Sequence, residues 1–207
     1  MIRKISPGFT LVEVMTVTII IAILATIAYF IVPGAIEETR FGAASANMAK
    51  LAVATKEYAD DANKYPNDGG GSNKVNVDGE WVYIPPELVS YLGEANLHDF
   101  KEAPWQPHSW YDFNAWDVAD AAGNYGTDGI KETIQVNVQF CDMGTITDVT
   151  TQCSFPPRFQ NIGWKTRSQL YYCIKGYCRS HYSDKYDYPG YCINCPNNAA
   201  VKTKDGN

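Results

Sequence analysis

The sequence predicts an α+β protein: a long N-terminal α-helix, membrane-spanning in its first half, packed against a small antiparallel β-sheet head that is disulfide-stapled at the C-terminus. Three observations predict it. An apolar run extends from Phe9 to Val32, an amphipathic rhythm continues from there to Ala62, and the polar remainder contains one strongly alternating strand and all six cysteines. With 207 residues and 45% hydrophobic side chains, the chain has the composition of a folded protein with room for one ordinary core.

The run from Phe9 to Val32 contains one ionisable side chain, Glu13. As a helix of 24 residues it spans about 36 Å, enough to cross a bilayer. Arg3 and Lys4 precede it and Glu37 and Glu38 follow it, so the positive-inside rule leaves the short N-terminus in the cytoplasm and sends the remainder across. Tyr29 and Phe30 stand where an interfacial aromatic belt belongs. An ordinary signal peptide would be cut near Ala25 or Ala28, where no clean small-x-small site occurs, and neither a signal peptide nor a plain membrane anchor explains a carboxylate inside the apolar run.

The stretch Lys4-Ile5-Ser6-Pro7-Gly8-Phe9-Thr10-Leu11-Val12-Glu13-Val14-Met15 resembles the cleavage and methylation motif of type IV prepilins and type II secretion pseudopilins. The resemblance implies residues 1–8 as a leader removed by prepilin peptidase after Gly8, N-methylation of the new Phe9 amine, and docking of Glu13 against the Phe9 amine of a neighbouring copy. The divisions that follow are 1–8 leader, 9–32 transmembrane and filament-core helix, 33–63 amphipathic continuation, and 64–207 globular head. Independently of any family, an isolated carboxylate in a low-dielectric setting is costly, and cleavage at Gly8 creates the nearest cation that the chain itself supplies.

Beyond Pro33 and Gly34 the residues Ile36, Phe41, Ala44, Met48, Leu51, Thr55, Tyr58 and Ala62 recur at helical spacing, predicting one stripe packed on the head. Pro33 lacks a helical donor and Gly34 loosens its neighbour, so this pair is the expected helix break. Gly42, Ala43, Ala44, Ser45, Ala46, Ala49, Ala52 and Ala54 are small enough for close helix approach in a bundle, and equally fit plain helix propensity.

The long helix should end near Asn63, ahead of Pro66, with a turn-rich loop at Asp68 to Ser72. Pro85 to Leu92 reads as a short helix with proline in its first turn. Thr133 to Phe140 alternates Ile134, Val136, Val138 and Phe140 with Gln135, Asn137 and Gln139, predicting a strand with one buried and one wet face. Gln169 to Ile174 is a second strand, with Lys175-Gly176 as a hairpin turn before Tyr177 and Cys178. A looser resemblance links Pro104-Trp105, the aromatic run to Trp116 and Tyr125 to Gly129 to the head of the major type II secretion pseudopilin. That relative binds calcium, but the glycine- and aspartate-rich segment that should follow is missing here. Asp117, Asp120, Asn124 and Asp128 therefore read as a solvated turn before a calcium site, and Trp105, Trp110, Tyr111, Phe113 and Trp116 as core before an adhesive patch.

Cys141, Cys153, Cys173, Cys178, Cys192 and Cys195 form an even set in the last third, which predicts three disulfides in an oxidising compartment. Cys141 with Cys153 is the expected local pair among 15 possible pairings. The spacing C-x4-C-x13-C-x2-C of the last four is the rival zinc-ribbon pattern, set second to bridges outside the cytoplasm. No cofactor or metal is expected. His98, His108 and His181 are scattered without a nucleophile elbow or metal pair, so no enzyme is predicted. A formal charge of −6, falling to −8 when Arg3 and Lys4 leave, argues against nucleic-acid binding.

These readings converge on a structural subunit of a type IV pilus or pseudopilus. Its partners would be prepilin peptidase and other pilins in a homo- or hetero-oligomeric filament. The precursor would reside in the inner membrane with its head in the periplasm, and the filament in the periplasm or at the cell surface. The alternatives are a membrane-anchored extracytoplasmic binding or sensory protein, and a minor pilin with an adhesive head. Pilus and pseudopilus share the N-terminal chemistry, and both stay open on sequence.

Overall fold

A computed structural model describes residues 9–69, 73–105, 109–117, 131–140, 169–176, 178 and 190–196. The chain divides into two compact units, Met1–Thr39 and Arg40–Asn207.

In the first unit, helix α1 (Leu11–Ala62) begins. All its residues up to Ile36 are exposed, and it is long and apolar enough to cross a membrane by length and composition. Its hydroxyls do not compromise that surface. Thr16, Thr26 and Thr39 donate to the carbonyls of Val12, Ala22 and Ala35, and Thr18 donates to that of Met15, each at 2.8 Å. Bonding a hydroxyl to the preceding turn keeps it satisfied without water. Pro33 and Gly34, where the sequence suggests a break, are both helical. Proline removes one intrahelical bond, to the carbonyl four residues back, and the helix continues through that single loss.

In the second unit, α1 buries Ala44, Met48, Leu51, Ala52, Ala54, Thr55 and Tyr58. The core of the expected stripe is thus correct, while Ile36 and Ala62 at its ends are exposed and Phe41 is half-buried. The helix stops at Ala62 because Asn63 turns left-handed, with φ 51°, three residues before Pro66.

Strands β1 (Val75–Val77) and β2 (Glu80–Val82) form a hairpin. Asp78 and Gly79 both have positive φ, 50° and 88°, which matches the right-handed twist of a two-residue turn. The Gly79 N–H donates to the Asn76 side chain at 3.0 Å. The expected short helix after Pro85 is a 3-10 turn, Pro86–Leu88, running into α2 (Val89–Leu92). Then come α3 (Glu94–Leu97) and a second 3-10 turn, His98–Phe100.

Strands β3 (Ser109–Asp117), β4 (Lys131–Phe140), β5 (Gln169–Lys175) and β6 (Gly190–Cys192) make one sheet in that order. The β3–β4 and β4–β5 pairs are antiparallel, and β5–β6 is parallel. One face carries Tyr111, Phe113, Ala115, Ile134, Val136, Val138 and Leu170, which share a core with Met48 and Leu51 of α1. The free edge of β3 is guarded. Phe113 donates to the Tyr83 carbonyl at 3.1 Å and accepts from the Gly69 N–H at 2.9 Å, and Asp68 accepts from the Ala115 N–H at 3.2 Å.

Two expectations need correction. The second face of β4 is not wet: Gln135 and Asn137 are 0% exposed and Gln139 4%. Their amides are paired rather than solvated. Gln135 donates to Asn137 at 2.8 Å, Asn137 donates to Asn114, and Gln139 and Asn114 both donate to Asp112. Alternation in sequence reports polarity, and polar groups that satisfy one another are buried at little cost. Nor, among the described residues, do Lys175 and Gly176 make a β-hairpin. The partners of β5 are β4 and β6, and the turn instead returns Cys178 to Cys173.

Candidate functional site at the start of the long helix

Thr10 is the last residue before α1 and Glu13 is its third helical residue. The Thr10 backbone N–H and hydroxyl each donate to Glu13 Oε2 at 2.7 Å, while Thr10 Oγ1 lies 3.3 Å from the Glu13 N–H. Two donors left without partners at a helix start are therefore satisfied reciprocally, as in a capping box. Thr10 is a site residue that the docking argument alone does not find. The signal for it is the spacing Thr10-x-x-Glu13 directly ahead of an apolar run.

The cap sits at the tip of an apolar, exposed helix, with the Phe9 side chain 88% exposed. An ionised carboxylate offers about four lone-pair positions, so the bonds from Thr10 leave capacity for an outside donor. The arrangement holds a carboxylate in a fixed place, one turn from the backbone nitrogen of Phe9, on a surface suited to lipid or to other helices.

Residues 3–29 match the family model of the prokaryotic N-terminal methylation motif. This is the prepilin-type signature of type IV pilins and pseudopilins. It supports a type IV pilin-like protein, of a family that is generally structural rather than enzymatic. A prepilin-type signature implies processing by prepilin peptidase and assembly with other pilins, and together with the apolar helix it fits an inner-membrane-anchored precursor. No curated protein and no solved structure matches the chain.

Residues 1–8, including Gly8, lie outside the described residues. The small residues of α1 divide between two faces: Ala44, Ala52 and Ala54 are buried in the head core, whereas Gly42, Ala43 and Ala46 are exposed. Ser45 and Ala49 are half-buried between the two sets.

Cys173 bridges Cys178 and Cys192 bridges Cys195. The one pairing expected from the sequence, Cys141 with Cys153, lies outside the described residues, as do Asp120, Asn124, Asp128, Tyr177, His108 and His181. Asp117 is ion-paired with Lys131. His98 lies 3.3 Å from Asp78 on the hairpin turn. Trp105, Tyr111 and Phe113 are buried, which places them in the core, while Trp110 and Trp116 are half-buried. Among the described residues from Arg40 onward, the exposed aromatic is instead Trp81, 54% exposed on β2 beneath the Lys74 ammonium at 4.7 Å.

Proposed function

We propose that this chain is a structural subunit of a type IV pilus or pseudopilus filament. In this reading it is cut after Gly8, methylated on the Phe9 amine, and registered in the filament by Glu13 pairing with the Phe9 amine of a neighbour. The observation that carries the reading is the coincidence of the methylation motif with a carboxylate fixed at the tip of a helix whose apolar N-terminal part is exposed.

The physics supports a docking role. In a bundle of apolar helices many axial registers have similar packing energy, because Leu, Ile and Val contacts are non-directional. A carboxylate facing an amine in a low-dielectric core favours the one register that pairs them, and a mispaired register leaves both charges buried and uncompensated. The Thr10 cap narrows the orientations of the Glu13 side chain, so less freedom is lost when the neighbour arrives.

The test is Glu13→Val as the only copy in the cell. Processing of the precursor and the folded head are expected to persist while incorporation into filaments, scored by immunolabelling and pull-down, is lost or strongly reduced. Normal polymerisation of a processed Glu13→Val chain would overturn the docking role.

A further inference from the structure

The four C-terminal cysteines are gathered by backbone rather than by their bridges. Parallel pairing sets Tyr171 beside Cys192, and the Ile193 N–H donates to the Tyr171 carbonyl at 2.8 Å. Asn194 then clasps Cys173 from both sides, accepting from its N–H at 2.8 Å and donating to its carbonyl at 2.7 Å. These bonds need no sulfur. The two ligand pairs, Cys173 with Cys178 around a glycine turn and Cys192 with Cys195 on a C-x2-C turn, therefore remain opposed when all four side chains are thiols.

The four Sγ atoms all lie within 4.8 Å of one another. Across the two bridges, Cys173 is 3.4 Å from Cys195 and 3.7 Å from Cys192, and Cys192 is 3.8 Å from Cys178. A zinc ion bonded to four thiolates at about 2.3 Å in tetrahedral geometry separates its sulfurs by about 3.8 Å. Cys178 and Cys192 are buried at 3% and 0% exposure, which shields a metal–thiolate centre from water. Two distant C-x4-C and C-x2-C pairs brought to one point make the closed arrangement typical of structural zinc.

We propose that the reduced form of this head binds one zinc ion through Cys173, Cys178, Cys192 and Cys195, at the same four sulfurs that the two bridges occupy after oxidation. Binding is a ligand exchange: one Zn2+ and four thiols form four zinc–sulfur bonds and release four protons, with no change of oxidation state. Bridge formation removes two electrons and two protons for each disulfide, and so requires an oxidant such as a disulfide-exchanging thiol oxidase. Zinc and the bridges are mutually exclusive occupants, and a newly made chain, whose cysteines are still thiols, is the zinc-binding form. The inference does not depend on the filament role.

The test uses the full-length chain in detergent, reduced and metal-free under anaerobic conditions, titrated with zinc chloride or cobalt chloride. One metal per chain is expected, with the intense visible bands of tetrahedral cobalt thiolate, their loss on adding zinc, and protection of four cysteines from alkylation. Cys141→Ser with Cys153→Ser should leave the stoichiometry at one, and Cys192→Ser with Cys195→Ser should abolish it. Cys195→His supplies a fourth ligand of another kind, so it should retain zinc and shift the cobalt bands. This last variant and the unaltered chain decide the matter if the double serine variant fails to fold. Substoichiometric metal, an octahedral cobalt spectrum, or a site that survives loss of Cys192 and Cys195 would overturn the proposal.

Discussion

Asn47, on the long helix, donates a hydrogen bond to the hydroxyl of Tyr111, on strand β3, at 3.2 Å, and the same amide group reaches the Asp99 carbonyl at 3.1 Å. One side chain thus joins the helix to both the sheet and the 3-10 turn at His98–Phe100. Lys50, less than one turn further on, adds a surface ion pair to Asp99 at 2.7 Å. Tyr111 itself is buried, with its ring edge-on to Phe100 at 5.4 Å. The junction combines a directional polar contact with apolar packing.

Tyr111→Phe should keep the ring packing and lose the hydroxyl, for a cost of about 0.5–1.5 kcal/mol at neutral pH. A pH effect accompanies it. Burial pushes the Tyr111 phenol up to about 12, with the Asn47 hydrogen bond opposing and Asp99 reinforcing the rise. The folded state thus holds its proton above the pH at which the unfolded chain, near 10, releases it. Stability from this group is complete below about pH 10 and falls as pH approaches 12, by roughly 3 kcal/mol. Denaturant unfolding across that window should show wild type more stable than Tyr111→Phe at neutral pH, with the difference shrinking above about pH 10 and reversing sign as pH approaches 12. A difference that stays constant would refute the buried phenol.

Gly176→Ala should destabilise the head by about 1–3 kcal/mol. Gly176 has φ 72°, and a Cβ there would run into the Glu132 carbonyl oxygen and stand 3.1 Å from Thr133 Oγ1. Both the backbone conformation and the contact resist a side chain, and the obstacle is backbone that cannot rotate away. Thermal unfolding of the full-length variant in detergent provides the measurement, and an unchanged midpoint would contradict this placement of the turn against β4.

Thr10→Val preserves the side-chain shape and removes the hydroxyl from the cap, which typically weakens a helix start by about 1 kcal/mol. Faster amide exchange at residues 11–14 of the micelle-bound chain is the expected signature, with Thr10→Ser restoring protection. Equal exchange in all three chains would show that the cap does not hold the first turn.

Processing should yield a mature chain that begins at Phe9 with a methylated amine. Mass spectrometry of the N-terminal peptide measures this directly. An uncut Met1, or a start near Tyr29, would remove the filament role proposed above.

Much of this molecule is legible one segment at a time. The apolar run from Phe9 to Val32, the stripe from Ala44 to Tyr58, the stop after Ala62 and the strand ending at Phe140 follow from composition, periodicity and terminators that act over a few residues. The capping pair Thr10 and Glu13 belongs to the same local class. The burial of Gln135, Asn137 and Gln139 does not, because it depends on Asp112 and Asn114 arriving across the β3–β4 register to satisfy those amides. Pro33 is similar: the sequence marks a lost donor, but only the folded helix shows that the loss is absorbed. The four cysteines show the division most sharply. Their spacing by itself allowed bridges or a metal, whereas the parallel pairing of β5 with β6 decided that the two local pairs, Cys173 with Cys178 and Cys192 with Cys195, lie against one another, because strand pairing is a long-range choice settled by the core that the whole sheet shares.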